Sequence, residues 1–183
     1  MANNKNHKAG KTPPLDEVWA MLEERGWLAE RGAEFRARLR EIARVRAFRR
    51  GEALYMVGEP SNGVFGIARG ALDISIPRED GQEIVLHRAQ TGFWIGDLAL
   101  FSSQPRLITA TAATDVVTAF LPKARLAELL ERHPDLNADF YTLSHRNFAT
   151  MLQLMANLSM PRAEARIALR LTDKPRFALE LLK

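Results

Sequence analysis

The chain has 183 residues, 46% of them hydrophobic and 26% charged, which is enough for one real hydrophobic core with extensions. It contains no cysteine, and this excludes a disulfide framework, a thiolate zinc site, a cysteine nucleophile and a cysteine-held iron–sulfur cluster. The formal net charge of +4 is compatible with polyanionic partners, although a basic balance alone is weak evidence for nucleic-acid binding.

Residues 1–14 are polar, carry Lys5, Lys8 and Lys11, and end in Pro13 and Pro14. No apolar stretch follows the lysines, so a disordered arm is expected rather than a secretion signal. No apolar run approaches the roughly 20 residues of a membrane span. A soluble, cytoplasmic protein without a membrane partner is expected.

From 15 to about 46, Val18, Met21, Leu22, Trp27, Leu28, Phe35, Leu39, Ile42 and Ala43 recur at steps of three and four, broken at Gly26 and Gly32. Two or three short amphipathic helices follow from that spacing. Arginines crowd the end of this region at Arg36, Arg38, Arg40, Arg44, Arg46, Arg49 and Arg50, answered only by Glu41. The cluster reads as a phosphate-binding patch or as a solvated helix face leading into a strand. With no groove-entering motif beside it, the solvated face is the preferred reading.

At Phe48 the texture changes to short apolar runs at 53–57, 64–67, 71–76, 83–88, 93–95 and 116–121, with Gly58, Gly63, Gly70, Gly81 and Gly92 in the turns. This rhythm predicts a mainly β jelly-roll or barrel with flanking helices. Leu72, Ile74 and Ile76 alternate with Asp73 and Ser75, as in a strand with one buried face. Arg78 to Gly81 form its hairpin turn. After Pro122 a short helix is predicted over 123–132, ended by His133-Pro134, and a long one over about 135–160. Along it Leu143, Asn147, Met151, Leu154 and Leu158 fall on one stripe at coiled-coil spacing. A homodimer through this helix is expected, with Asn147 fixing the register.

The most informative stretch runs from Gly92 to Asp115. It contains Gly96-Asp97-Leu98-Ala99-Leu100, a short loop, and Pro105-Arg106-Leu107-Ile108-Thr109. In order and separation this resembles the phosphate-binding cassette of the cyclic-nucleotide-binding domain found in the catabolite activator (Crp/Fnr) family of transcription regulators. Gly51-Glu52-Ala53-Leu54-Tyr55, Gly58-Glu59, Gly70 and Gly81 match the family's strand and turn positions. The likeness covers about 48–134 and continues as pattern along the long helix.

The resemblance implies an effector-sensing domain that binds cyclic AMP, cyclic GMP or a similar small anion and requires no other cofactor. Arg106 would hold the cyclic phosphate and Asp97 the ribose 2′-hydroxyl. Gly96, Leu98, Ala99 and Leu107 would line the site, with Thr150 near the base. The chemistry suits these roles: a helix opening at Gly96 offers free N–H groups and a positive dipole end, and Arg106 a forked donor. Three departures stand out: Asp97 where the family has Glu, Leu107 where it has Ala, Ser or Thr, and Met151 and Leu152 where the family's base-contacting hydroxyls fall, with Thr150 one step out of phase. They leave open an alternative, a degenerate pocket in a dimer or interaction scaffold. On that alternative, removing a surface Arg106 changes stability by a few tenths of a kcal/mol.

His87, His133 and His145 are scattered, with no metal-ligand spacing. No catalytic motif occurs, so neither a metal site nor an enzyme is expected. At the end, Pro161 falls where the family has its hinge. Residues 162–171 match the opening helix of the family's winged helix-turn-helix. The expected organisation is an arm (1–14), helices plus jelly-roll (15–134), a dimer helix (135–160), and a hinge with a remnant first helix (161–183). Binding to DNA would then need a helix-turn-helix supplied by a longer form.

Overall fold

A computed structural model describes residues 12–158. Residues 1–11 of the expected arm, and the whole of the expected hinge and remnant helix at 161–183, lie outside the described residues. The chain divides into two compact units, 1–132 and 133–183.

The first unit opens with α1 (Leu15–Glu24) and α2 (Ala33–Ile42), joined by a 3-10 turn. Eight strands follow: β1 (Arg44–Phe48), β2 (Ala53–Tyr55), β3 (Gly63–Arg69), β4 (Ala71–Pro77), β5 (Glu83–Gln90), β6 (Trp94–Ile95), β7 (Thr109–Ala112) and β8 (Val116–Pro122). Helix α3 (Asp97–Ser102) sits between β6 and β7, and α4 (Lys123–Arg132) follows β8. The strands form two antiparallel sheets, β1-β8-β3-β6 and β2-β7-β4-β5. Their shared core is built on Phe65, Ile67, Leu72, Ile74, Val116 and Phe120, with Tyr55 against Phe65. This is the mainly β jelly-roll that the glycine-punctuated runs predict.

Three local departures have physical causes. The helix face leads into a strand as expected, but the strand begins at Arg44, ahead of the change of texture at Phe48. Val45 and Phe48 are half-buried while Arg44 and Arg46 are exposed, a pattern too short to read against the helix before it. Strand β7 was not foreseen, because Thr109 to Ala112 carry little apolar bulk and pair only through residues distant in sequence. In β4 the alternation stops after Ile74. The register shifts there, and Ser75 turns inward at 2% exposure with its hydroxyl donating to Glu83 (2.8 Å).

The arginine cluster is partly neutralised: Arg36 pairs with Glu23, Arg38 with Glu34 and Arg40 with Asp16. Helices α1 and α2 bury Val18, Trp19, Leu22, Phe35 and Leu39. They meet the sheet through Trp94, whose ring lies 6.4 Å from Trp19 and 5.4 Å from Trp27. Gly66, paired with Trp94 across the β3–β6 ladder, gives that indole its room.

In the second unit a 3-10 turn (Pro134–Leu136) leads into α5 (Asn137–Leu158). Of the residues expected at the dimer seam, Leu143 is buried, and Asn147, Met151 and Leu154 are half-buried. The Leu158 side chain lies outside the description.

A Cβ on Gly66 would lie 2.5 Å from the Trp94 ring, which the aromatic cluster holds on two sides. Gly66→Ala should therefore destabilise the fold by about 1–3 kcal/mol and lower Tm by several degrees. Thermal melting followed by circular dichroism checks this, and an unchanged Tm would mean that the indole yields freely.

Candidate functional site

The cassette residues are drawn together around one side chain. Arg106 is 2% exposed, although it lies in the loop just before β7. Backbone bonds fix it from the turn after β2: the Arg106 N–H donates to the Glu59 carbonyl and the Gly58 N–H to the Arg106 carbonyl, both at 2.8 Å. Nearby, the Val57 N–H donates to the Thr109 hydroxyl at 3.1 Å.

The guanidinium makes three hydrogen bonds to neutral oxygens. Nη1 donates to the Gly96 carbonyl at 3.1 Å, and Nη2 to the Gly63 carbonyl at 2.9 Å and Asn62 Oδ1 at 3.1 Å. Its flat face stacks on the Tyr55 ring, 3.9 Å from the centroid, the geometry of a desolvated cation–π contact. Nε is buried and meets no acceptor among the described residues. The site therefore confines a cation whose Nε–H is unmatched.

Electrostatics follow from that burial. Desolvation lowers the Arg106 pKa from its ordinary value, while Tyr55, Asp97 and Glu59 pull it back up. The group remains too basic to lose its proton near neutrality. Burial pushes the Tyr55 hydroxyl well up, opposed by the positive charge of Arg106, so the ring stays neutral beneath the cation.

Gly96 is what lets β6 turn into α3 against this arginine. Its φ is +106°, in the region that only glycine adopts readily, and a Cβ there would lie 2.6 Å from Arg106 Nη1 and 2.8 Å from the Gly63 carbonyl. Helix α3 then begins at Asp97, as the sequence predicts. Asp97 and Ala99 are buried at 3% and 7% exposure, whereas Leu98 and Leu107 point their bulk outward at 57% and 65%. Thr150 is in the second compact unit, and its hydroxyl donates to the Arg146 carbonyl of its own helix at 3.0 Å.

The sequence reading missed Asn62, Gly63 and Tyr55 as partners of Arg106. Tyr55 was visible only as a strand residue, and Asn62 carried no signal: its pairing with Arg106 joins positions 44 apart. A cleft of about 280 Å³ opens beside the cassette, lined by Gly58, Pro60, Ser61, Ala99, Ser103, Gln104, Pro105 and Lys123. Neither Arg106 nor Asp97 lines it, so the cleft and the buried cation are separate features. The described residues include no cluster of three or more His, Cys, Asp or Glu able to hold a metal, and no helix long and apolar enough to cross a membrane.

Residues 45–133 match the family described as Cyclic nucleotide-binding domain. The chain is similar to the transcriptional activator protein anr of Pseudomonas aeruginosa, at 29% identity over 69% of this chain and 52% of that protein. It is also similar to the cAMP-activated global transcriptional regulator CRP of Salmonella typhimurium, at 26% identity over 61% of this chain and 53% of that protein. The chain thus spans about half the length of these relatives, and about a quarter of some others. Among solved structures, it resembles the N-terminal domain of a transcriptional regulator from Streptomyces coelicolor, with TM-score 0.59 and 25% identity over 74% of this chain and 94% of that one.

Burial removes the premise that Arg106 is a dispensable surface group. Arg106→Ala should destabilise by about 2–4 kcal/mol, since it opens a cavity and strands the oxygens of Gly63, Gly96 and Asn62. Arg106→Met, which keeps the volume without the charge, should cost clearly less. Urea denaturation of the three proteins checks the order, and equal midpoints for Ala and wild type would contradict it.

Proposed function

We propose, for a chain whose residues 45–133 belong to the cyclic nucleotide-binding domain family, that it is the effector-sensing part of a Crp/Fnr-type transcription regulator. The effector is a cyclic nucleotide, cyclic AMP or cyclic GMP, or a small anion of similar charge. The protein acts by binding rather than by catalysis. Its output passes through a homodimer formed along α5, and contact with DNA belongs to a helix-turn-helix carried by a longer form.

One observation carries this reading: a buried guanidinium held by neutral oxygens, with Nε–H unmatched, at the position that the resemblance gives to the phosphate ligand. The charges of Asp97 and Glu59 favour this cation, and an anion at the unmatched Nε–H adds a direct partner. Because Arg106 is only 2% exposed, the ligand reaches it only if the segment from Gly96 to Thr109 shifts and the carbonyls of Gly63 or Gly96 give way to phosphate oxygens. Ligand binding and cassette movement are then one event. That coupling is what a sensor needs, because a ligand with equal affinity for both arrangements moves nothing.

The same three hydrogen bonds favour a second reading, in which the cassette is permanently closed and Arg106 is purely a structural pin in a scaffold. Isothermal titration separates the two. Under the sensor reading, cyclic AMP or cyclic GMP gives saturable heat and raises Tm by an amount that grows with ligand concentration, and folded Arg106→Met gives neither. No heat and no thermal shift with either nucleotide at millimolar concentration would leave the scaffold standing.

A further inference from the structure

The cleft beside the cassette is walled by three segments distant in sequence: the turn after β2, the loop after α3 and the opening of α4. Backbone hydrogen bonds tie these walls together. The Gly58 N–H and the Glu59 carbonyl bond to Arg106, which directly follows the second wall, both at 2.8 Å. The Lys123 N–H donates to the Asn62 carbonyl at 2.9 Å, which fixes the first residue of α4 against the turn that carries Ser61. The cleft is thus preformed, and its volume of about 280 Å³ suits a ligand smaller than a nucleotide. Ser61 lines it at only 9% exposure, and its hydroxyl has no hydrogen-bond partner among the described residues. Such a group costs free energy until something bonds it. Ser103, on the second wall, is the one described residue other than glycine with a positive φ, at 55°.

Charge and polarity select the occupant. Among the described residues Lys123 is the one charged side chain on the walls, and it forms no ion pair with them. No carboxylate lines the cleft, and that of Glu59 accepts the Met56 N–H at 3.0 Å. Pro60, Ala99 and Pro105 supply an apolar surface. We propose that this cleft binds a small carboxylic acid with a short apolar body, at a site separate from the cassette. The carboxylate meets Lys123 and accepts a hydrogen bond from the Ser61 hydroxyl, and the two prolines and Ala99 cover the rest. One lysine balances one negative charge, so a monoanion fits, whereas a phosphate dianion would bring an unpaired charge against apolar walls. Arg106 does not line the cleft, so the site stands whatever the cassette binds.

Butyrate and inorganic phosphate, each compared with sodium chloride at equal ionic strength, are titrated into the ¹⁵N-labelled full chain at slightly alkaline pH, where phosphate is mainly a dianion. The backbone amides of Ser61, Ser103, Gln104 and Lys123 report on the cleft. Butyrate should shift them saturably, and phosphate should leave them where chloride does. Ser61→Ala removes an unmatched group and Lys123→Gln an exposed one, so both should fold, as circular dichroism checks. Each should weaken butyrate about tenfold or more, the loss of one charge-assisted hydrogen bond. Folded Arg106→Met should bind butyrate as the wild type does. No saturable shift with either anion would overturn the site, and phosphate shifting these amides as well as butyrate would overturn the assigned ligand. Butyrate bound equally well by Lys123→Gln and Ser61→Ala would overturn the assigned residues, and its loss in Arg106→Met would overturn the separation from the cassette.

Discussion

A guanidinium taken out of water keeps its charge and must find oxygens to replace the solvent it has lost. In this chain Arg106 finds three of them at two places far apart in sequence: the carbonyl after β6, and the side chain and carbonyl of consecutive residues at the start of β3. Tyr55 at the end of β2 closes the fourth side. The arginine thereby ties the β2–β3 turn to the cassette on either side of α3. The geometry of that corner, including the glycine at position 96, is dictated by its approach.

The surrounding frame makes such a burial possible. The interior between the sheets is aromatic and aliphatic, with Phe65 central to Phe48, Tyr55 and Phe120. On the helical side, Trp94 locks β6 against α1 and the turn after it. β6 therefore arrives at Gly96 from a rigid platform, while the segment after α3 passes through Ser103 at a positive φ of 55° and then the exposed Gln104 and Pro105. One end of the cassette is packed on that platform, and the other is an exposed loop anchored at Arg106 by its backbone bonds to Gly58 and Glu59.

Much of this was legible beforehand, for reasons specific to each element. The glycine turns and short apolar runs gave the jelly-roll because each run is bounded by a residue that cannot extend it. Gly96, Asp97 and Arg106 stood out because the cassette is a contiguous motif. What surrounds Arg106 was not legible. Asn62 and Tyr55 reach it through the tertiary fold, and a local pattern carries no trace of that. The α5 stripe poses a different difficulty. Two stripes share one helix and one period, so spacing alone cannot say which is covered. The sequence reading chose the stripe through Leu143, and the structure buries that residue while exposing Tyr141 and Phe148.

The central claim is that Arg106 is a buried cation with an N–H reserved for an anion, and side-chain ¹⁵N–¹H spectroscopy of the arginines tests it most directly. The Arg106 Nε–H signal, assigned through its absence in folded Arg106→Met, should exchange with water far more slowly than those of exposed arginines such as Arg44 and Arg50. On addition of cyclic AMP or cyclic GMP it should shift downfield as the proton gains a phosphate oxygen. A fast-exchanging Nε–H would contradict the burial, and a protected one that neither nucleotide shifts would contradict the anion site.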